Sequence, residues 1–382
     1  MKIVLSGVET INKGAELMLY AILQEIERKY PNAVVYLPCL AAKQGLDYFH
    51  TSLELKAKPY TKLINFFNNY YVMRVIQKLR LPRLFLSDSH ILPNIDYFID
   101  AGGFHFSDQF NYDNFQVAYW EKILTGYSKQ GTKIVFLPQA FGPIELASTQ
   151  KLVQLLDLYS DIVMPREKVS FDYLMKANMS RDKVHIFPDF TSLVKGSILE
   201  KYSNLRNAVC IIPNMRMIDK GIINKAKYID YIHTIISVVK SKGFIPYLLN
   251  HEGRGDEKLA YECVKGLSES VEVVTRINAL EVKGLISTSY LVISSRFHGV
   301  ASSLNSGVPC LSTSWSHKYE ELYKDYELEN SVLDLKNMNS VIDSLNYHLD
   351  DNNNRQIRKH LFSKIFHINE MSRRMWNKIW NI

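Results

Sequence analysis

Leu291-Val292-Ile293-Ser294, followed at once by Ser295-Arg296-Phe297-His298-Gly299, is the most informative stretch of the chain. Its opening residues are a short run of branched apolar side chains, the signature of a strand buried on both faces. The residues after the turn, Val300 to Ser306, predict a short helix, which Gly307 closes and Pro309 keeps from resuming. A buried strand that enters a helix through a polar turn is half of a β-α-β unit, and parallel strands need such crossovers.

The same alternation extends outward in both directions. Toward the N-terminus, strands are predicted at Ala208–Ile212, Phe244–Leu249 and Val271–Val274, with a helix around Tyr228–Lys240; beyond the turn, Val308–Leu311 is a further strand. An earlier series holds Lys2–Ser6, Val34–Leu37, Ile95–Asp100, Lys133–Leu137 and Asp161–Met164. Between its first two strands, Gly14–Lys29 carries Leu17, Met18, Ala21, Ile22 and Ile26 at helical spacing. Two such series predict an α/β chain of two Rossmann-like domains facing a cleft, the GT-B-like architecture. The weakly patterned stretch between Asp189 and Asn207 is the expected join, giving domains 1–195 and 196–382. The amphipathic segment Asn353–Trp380 predicts a final helix, a candidate to cross back to the first domain.

Composition narrows the function classes. The 382 residues are 47% hydrophobic and 22% charged, which fits globular domains large enough to bury their own cores. No run reaches the ~20 apolar residues of a membrane span. Gly7, Glu9 and Asn12 interrupt the apolar start too early for a signal peptide, so a cytoplasmic location is expected. Cys39, Cys210, Cys263 and Cys310 are too far apart for a metal or redox motif and read as buried thiols. The net charge of +7 suits an acidic partner. No zinc-finger spacing, aromatic RNA-binding signature or lysine-rich block points to nucleic acid. The segment Asn65–Phe85 combines Phe66, Phe67, Tyr70 and Tyr71 with Arg74, Lys78, Arg80 and Arg83. It reads either as a helix with a solvated basic face or as one that lies on a membrane surface.

Ligands of open parallel sheets bind beyond the carboxyl ends of the strands, so the residues that follow each strand are the candidates. Arg296, His298 and Gly299 sit on a strand-to-helix turn, where free amides and a partial positive charge favour anions. Arg216 and Lys318 follow neighbouring strands and offer further cations, or are solvated surface groups. Asn12, Gly14 and Glu16 lie in a glycine-flanked loop that opens the first helix; Asp100 precedes Gly102-Gly103, and Gln139 follows Pro138. Turn and packing chemistry is the competing explanation for these glycines. His251-Glu252-Gly253-Arg254-Gly255-Asp256 reads as a flexible loop, with a metal site as the alternative.

Taken in order, Asn12-Lys13-Gly14-Ala15-Glu16, Asp100 with Gly102-Gly103, Gln139 with Gly142-Pro143, Arg166, Pro188-Asp189, Arg296-Phe297-His298, Gly307-Val308-Pro309 and Lys318 resemble the landmarks of the polysaccharide pyruvyl transferase family. The likeness covers most of the chain. It departs at Ala15, where the family usually has aspartate, and at the doubled glycine after Ala101, where a triple is common. The resemblance implies a GT-B-like fold and transfer of pyruvate from phosphoenolpyruvate to two hydroxyls of a sugar, as a ketal. The glycans concerned are those of capsule, exopolysaccharide or cell wall. It implies an acceptor often carried on polyprenyl diphosphate, an enzyme at the inner face of the membrane, and no cofactor or metal beyond the co-substrate. On this reading the C-terminal domain takes the donor through Arg296, Arg216, Lys318 and Gly299. The N-terminal domain takes the acceptor through Asn12, Gly14, Glu16, Gly103 and Gln139. His298 is the general acid, as histidine titrates near neutral pH, and Asp100 the acceptor-side base or orienting group. A nucleotide-sugar glycosyltransferase of the same architecture, or a non-catalytic sugar-binding scaffold of a capsule-assembly complex, are the rival readings.

Overall fold

The computed structural model describes residues 1–38, 53–57, 91–313 and 318–382. Cys39, the segment 65–85 and residues 314–317 lie outside them. The chain divides into two compact units. The first holds Met1–Thr10, Met18–Phe187 and Arg374–Ile382; the second holds Ile11–Leu17 and Pro188–Arg373.

Each unit is built on a parallel six-stranded sheet. The first contains β1 (Lys2–Ser6), β2 (Val34–Leu37), β3 (Glu54–Ala57), β4 (Tyr97–Asp100), β5 (Lys133–Gln139) and β6 (Ile162–Pro165), in the order β3-β2-β1-β4-β5-β6. The second contains β7 (Val209–Ile212), β8 (Pro246–Leu249), β9 (Glu272–Val274), β10 (Leu291–Ser294), β11 (Cys310–Thr313) and β12 (Val332–Leu333), in the order β12-β11-β10-β7-β8-β9. Numbering β7 as the first strand of its own sheet makes the two orders identical, 3-2-1-4-5-6 read from β3 and from β9. The strand order reverses between β1 and β4 in one sheet and between β7 and β10 in the other. Those two points are where such sheets leave a crevice for ligands.

The α/β class with two parallel sheets is as expected from the sequence. The strands in the middle of each sheet form because both of their faces are buried. Along β7, Val209 and Ile211 feed one core while Cys210 and Ile212 feed the other. Burying a side chain of this size contributes roughly 1.5–3 kcal/mol, which makes the register of such a strand costly to shift. Helices cover the sheets with their apolar stripes. In the one at Lys225–Ser241, Tyr228, Tyr231, Ile232, Ile235, Ile236 and Val239 are buried, and Asn224 caps it by accepting from the Lys227 amide at 2.9 Å. Cys210, Cys263 and Cys310 are buried and free.

Two helices contribute to both units. α1 (Lys13–Lys29) has its first turn in the second unit and the rest in the first. The last helix (Asp351–Ile379) belongs to the second unit as far as Arg373 and to the first from Arg374. Its final turn is held in the first unit by Trp380, whose indole N–H donates to Glu25 at 2.9 Å while the ring meets Tyr30 and Tyr97 edge-on, each at 5.3 Å between centroids. No helix among the described residues is long and apolar enough to cross a membrane.

Candidate functional site

The turn after β10 is braced by side chains from several elements. The Ser295 carbonyl accepts from Asn214 Nδ2 at 2.6 Å and from the Tyr319 hydroxyl at 2.9 Å. Its own hydroxyl is 2.7 Å from Thr313 Oγ1 and 3.0 Å from the Tyr228 hydroxyl. Side chains from β11, from the loop after β7 and from two helices thus fix the point at which strand becomes helix. Arg296 is the residue before the helix Phe297–Asn305, in extended conformation. Its guanidinium donates from Nε to Asp256 at 2.8 Å, approaches the same carboxylate through NH2 at 2.6 Å, and pairs with Glu252 through NH1. Burial drives the Asp256 carboxyl upward and the Arg296 guanidinium downward, to about 10. Their direct contact offsets part of that cost of burial.

Two residues on, His298 stands against the opening of α1. A Cβ placed on Gly14 would lie 2.2 Å from His298 Nδ1, so only glycine lets the loop and the ring approach this closely. Asn12 shapes that loop: its Oδ1 accepts from the Gly14 and Ala15 amides at 2.8 and 3.3 Å, capping the helix. Lys13 and Glu16 pair at 2.6 Å. On the other side, His298 Nε2 lies 3.4 Å from Asp189 Oδ2 and makes no hydrogen bond. Asp189 is fixed in turn, because its Oδ1 accepts from both the amide and the hydroxyl of Thr191. The buried Lys283 donates to the Thr191 carbonyl at 2.8 Å; burial lowers its ammonium to about 8, against the opposing pull of Asp189.

His251, at the end of β8, completes this group. Its carbonyl accepts from the Lys13 amide at 3.2 Å, and residue 12 forms a bridge with Glu252. Its ring is 3% exposed, and Nδ1 has no hydrogen-bond partner. Burial first, and then the charges of Arg296, His298 and Lys13, hold this imidazole well below its ordinary range, so it is neutral. The flexible loop expected from the glycines after it is instead the start of a helix, Gly253–Val264. Asp256, Leu259, Ala260 and Cys263 are buried on one face of that helix, and Asp256 ties its first turn to Arg296 and to the Met215 amide. Among the described residues no group of histidine, cysteine and carboxylate side chains is arranged to hold a metal ion.

The first unit has its own polar cluster at the carboxyl ends of β4, β5 and β6. Asp100 Oδ1 accepts from the Gly102 amide at 3.1 Å and from Gln139 Nε2 at 3.2 Å. That bond fixes which way the Gln139 amide points. It leaves two fully buried acceptors without a partner, Asp100 Oδ2 and Gln139 Oε1. Arg166 is beside them: its amide donates to the Gln139 carbonyl at 2.9 Å, and its Nε is 3.4 Å from Glu167. Gly7 has φ +71°, and a Cβ on it would sit 2.4 Å from the Gly102 nitrogen. The loops after β1 and β4 therefore touch backbone to backbone at the point where the strand order reverses.

The remaining sequence candidates are distributed as follows. Asn12, Gly14 and Glu16 were grouped with Gly103 and Gln139 in the sequence reading; the structure puts the first three in the second unit, against His298, and the other two in the first. Gly299 is accounted for by packing, since a Cβ there would be 2.5 Å from Ser294 Oγ and 2.9 Å from Ile212 Cδ1. Gly103 has φ +70° and its carbonyl accepts from the Ala140 amide. Arg216 is exposed, near enough to Asp256 and Arg296 to act on both electrostatically. The Lys318 ammonium lies 5.6 Å from the Phe297 ring centroid. His251 and Asp189 are the residues whose placement the sequence did not foretell. The apolar periodicity after His251 was the available signal for the first, and the pairing of Pro188 with Asp189 for the second.

Solved structures of similar fold are GT-B-like. The chain superimposes on the UDP-GlcNAc 2-epimerase of Neisseria meningitidis bound to UDP-GlcNAc with a TM-score of 0.62, at 13% identity over 100% of both chains. Against Anabaena Alr3699/HepE in complex with UDP the values are 0.60 and 12%, again over 100% of each chain. The S. aureus MnaA–UDP structure gives 0.59 and 11%, covering 99% of this chain and 96% of that one. At such identities the likeness defines the fold class alone. The family comes from the sequence: residues 12–317 match the profile of the polysaccharide pyruvyl transferases, and the chain belongs to that family.

Proposed function

We propose that the protein transfers pyruvate from phosphoenolpyruvate to two hydroxyls of a sugar, and that the second unit handles the donor and the first the acceptor. The observation that carries this is His298: an imidazole whose Nε2 makes no hydrogen bond, set beside Asp189 and pressed from behind by Gly14. It is fixed in orientation, and Nε2, beside Asp189, is the nitrogen left without a hydrogen bond.

In the reaction so assigned, His298 protonates the methylene carbon of phosphoenolpyruvate, and positive charge develops at the adjacent carbon. Asp189 stabilises the imidazolium before transfer, and Thr191 and Lys283 keep that carboxylate in place. One sugar hydroxyl adds to the cationic carbon and its proton passes to the now neutral His298, restoring the acid. The carbon–oxygen bond to phosphate breaks, and the second hydroxyl closes the ketal as the phosphate takes up its proton. Inorganic phosphate and the ketal are the products, and the protons balance. Arg216 and Lys318 neutralise the donor's phosphate and carboxylate. Arg296, whose guanidinium is shared between Asp256 and Glu252, fixes the turn and contributes its charge without leaving those partners. Asn12, Gly14 and Glu16 form the wall that holds His298.

On the acceptor side, Asp100 Oδ2 and Gln139 Oε1 are suited to hydroxyl hydrogens. Two buried acceptors without donors cost ~1–3 kcal/mol each, and a vicinal or 1,3-diol supplies both donors at once. Gly103 lets the backbone approach this pair. The acceptor is a capsular, exopolysaccharide or cell-wall sugar on a polyprenyl diphosphate carrier, and the enzyme works at the inner face of the membrane. The test is incubation with phosphoenolpyruvate and a panel of lipid-linked oligosaccharides, followed by mass spectrometry. The expected product has gained one pyruvate less one water, with one phosphate released. Release of nucleoside diphosphate from a nucleotide sugar, with no phosphoenolpyruvate consumed, would replace this reading with a glycosyltransferase.

A further inference from the structure

The function just proposed uses one histidine of the second unit. The other, His251, is not required by it and is the more unusual group. Its ring is 3% exposed and Nδ1 is an orphan. Buried polar atoms in folded proteins nearly always have partners, and one that lacks them invites an explanation. The surroundings of His251 hold cationic side chains and their carboxylate partners, Lys13 with Glu16 and Arg296 with Asp256 and Glu252. Lys13, whose amide donates to the His251 carbonyl, together with Arg296 and His298, act on the ring. Such a ring stays neutral and offers one N–H and one lone pair. An anionic oxygen that met the orphan Nδ1 would need that nitrogen to carry the proton.

We propose that His251 is a further substrate-contacting residue, a neutral imidazole whose Nδ1–H donates to an anionic oxygen, phosphate or carboxylate, of the bound donor. This rests on the donor reading of the second unit. It assigns the two histidines opposite tasks. His298 moves a proton, whereas His251 holds its own and reads the position of the anion. Three features set the geometry: the backbone bond from Lys13, the residue 12–Glu252 bridge, and the helix that starts at Gly253 and is tied through Asp256 to Arg296.

Side-chain amides separate this role from a structural one. Asparagine places its amide nitrogen near the position of Nδ1, and glutamine near that of Nε2. His251→Asn should keep the KM for phosphoenolpyruvate within about threefold of wild type. His251→Gln and His251→Phe should raise it by ~10-fold or more, the range of one lost hydrogen bond to a charged group. Equal KM values for all three variants and the wild type would overturn the proposal. A second measurement does not depend on turnover. Two-bond proton–nitrogen spectra of the wild-type protein, with the His251 signals assigned by their loss in His251→Asn, should show Nδ1 as the protonated nitrogen. Its resonance should shift on adding phosphoenolpyruvate. Inorganic phosphate alone and pyruvate alone then tell which end of the donor is contacted. A proton on Nε2, or an Nδ1 signal that ignores all three additions, would overturn it. If the wild type does not turn over phosphoenolpyruvate, the functional reading fails by itself. The response of Nδ1 to inorganic phosphate still decides the anion contact.

Discussion

The two sheets have the same strand order and open their crevices at equivalent points, yet their polar ends carry different groups. The carboxyl edge of the first carries bare acceptors, Asp100 Oδ2 and Gln139 Oε1. The carboxyl edge of the second carries His298 and His251, each with a nitrogen that lacks a hydrogen bond, the exposed Arg216, and Arg296 held between Asp256 and Glu252. On the proposed function, one edge serves hydroxyl hydrogens and the other anionic oxygens. One topology thus serves two tasks because the task lies in a few residues after the strands, and the cores beneath them share only their pattern of alternation.

Perturbing each edge in turn tests that contrast. The largest effect is expected at His298. His298→Asn should lower kcat for phosphate release by ~10²–10⁴-fold, the usual contribution of a general acid, with the melting temperature little changed. Next is Gly14→Ala. The added methyl would lie 2.2 Å from His298 Nδ1 and must displace the ring; a misplacement on the order of 1 Å corresponds to about 10²-fold in rate. Steady-state assays should show this loss in kcat while calorimetry still shows phosphoenolpyruvate binding. A Gly14→Ala enzyme with wild-type kcat would separate the loop from the chemistry.

Asp100→Asn tests the other edge. It keeps the oxygen that accepts from Gly102 and Gln139 and converts only the orphan one to a donor. The KM for the sugar acceptor should rise by ~10-fold, with phosphoenolpyruvate affinity unaltered. A change in donor affinity instead would erase the division of labour.

The smallest effect concerns Lys283. Its buried ammonium is lowered to about 8 from the ordinary 10.5. Between those values the unfolded chain binds the additional proton, so stability rises with pH across that interval and is lowest below it. A thermal melt should gain a few degrees from pH 8 to 10.5 relative to Lys283→Met, in which this pH dependence disappears.

What the sequence disclosed follows the same logic. Strands buried on both faces, such as β7 and β10, are legible as apolar runs, and their ends point to Asp100, Gln139, Arg296 and His298. The strands that escaped notice are β3, Glu54–Ala57, in which charged residues alternate with apolar ones, and β12, only Val332–Leu333. Both lie at sheet edges, where burial on two faces no longer writes the pattern. Partnerships across the chain were also hidden. Arg296 and Asp256 are 40 residues apart, and no local spacing announces that one neutralises the other. Likewise, nothing near Asn12 or Gly14 signals that their loop closes on His298; that follows from how the fold places the first turn of α1.

That first turn bears on the gene as well as on the protein. Ile11–Leu17 belongs to the second unit although residues 18–187 separate it from the rest of that unit, and Arg374–Ile382 belongs to the first. Neither half is therefore a contiguous module. A second unit cloned from Pro188 onward would lack the glycine that seats its own histidine, and recombination at the apparent boundary would trade sheets but leave that seat behind. The two units are thus expected to be exchanged only together, with the chain inherited as a whole.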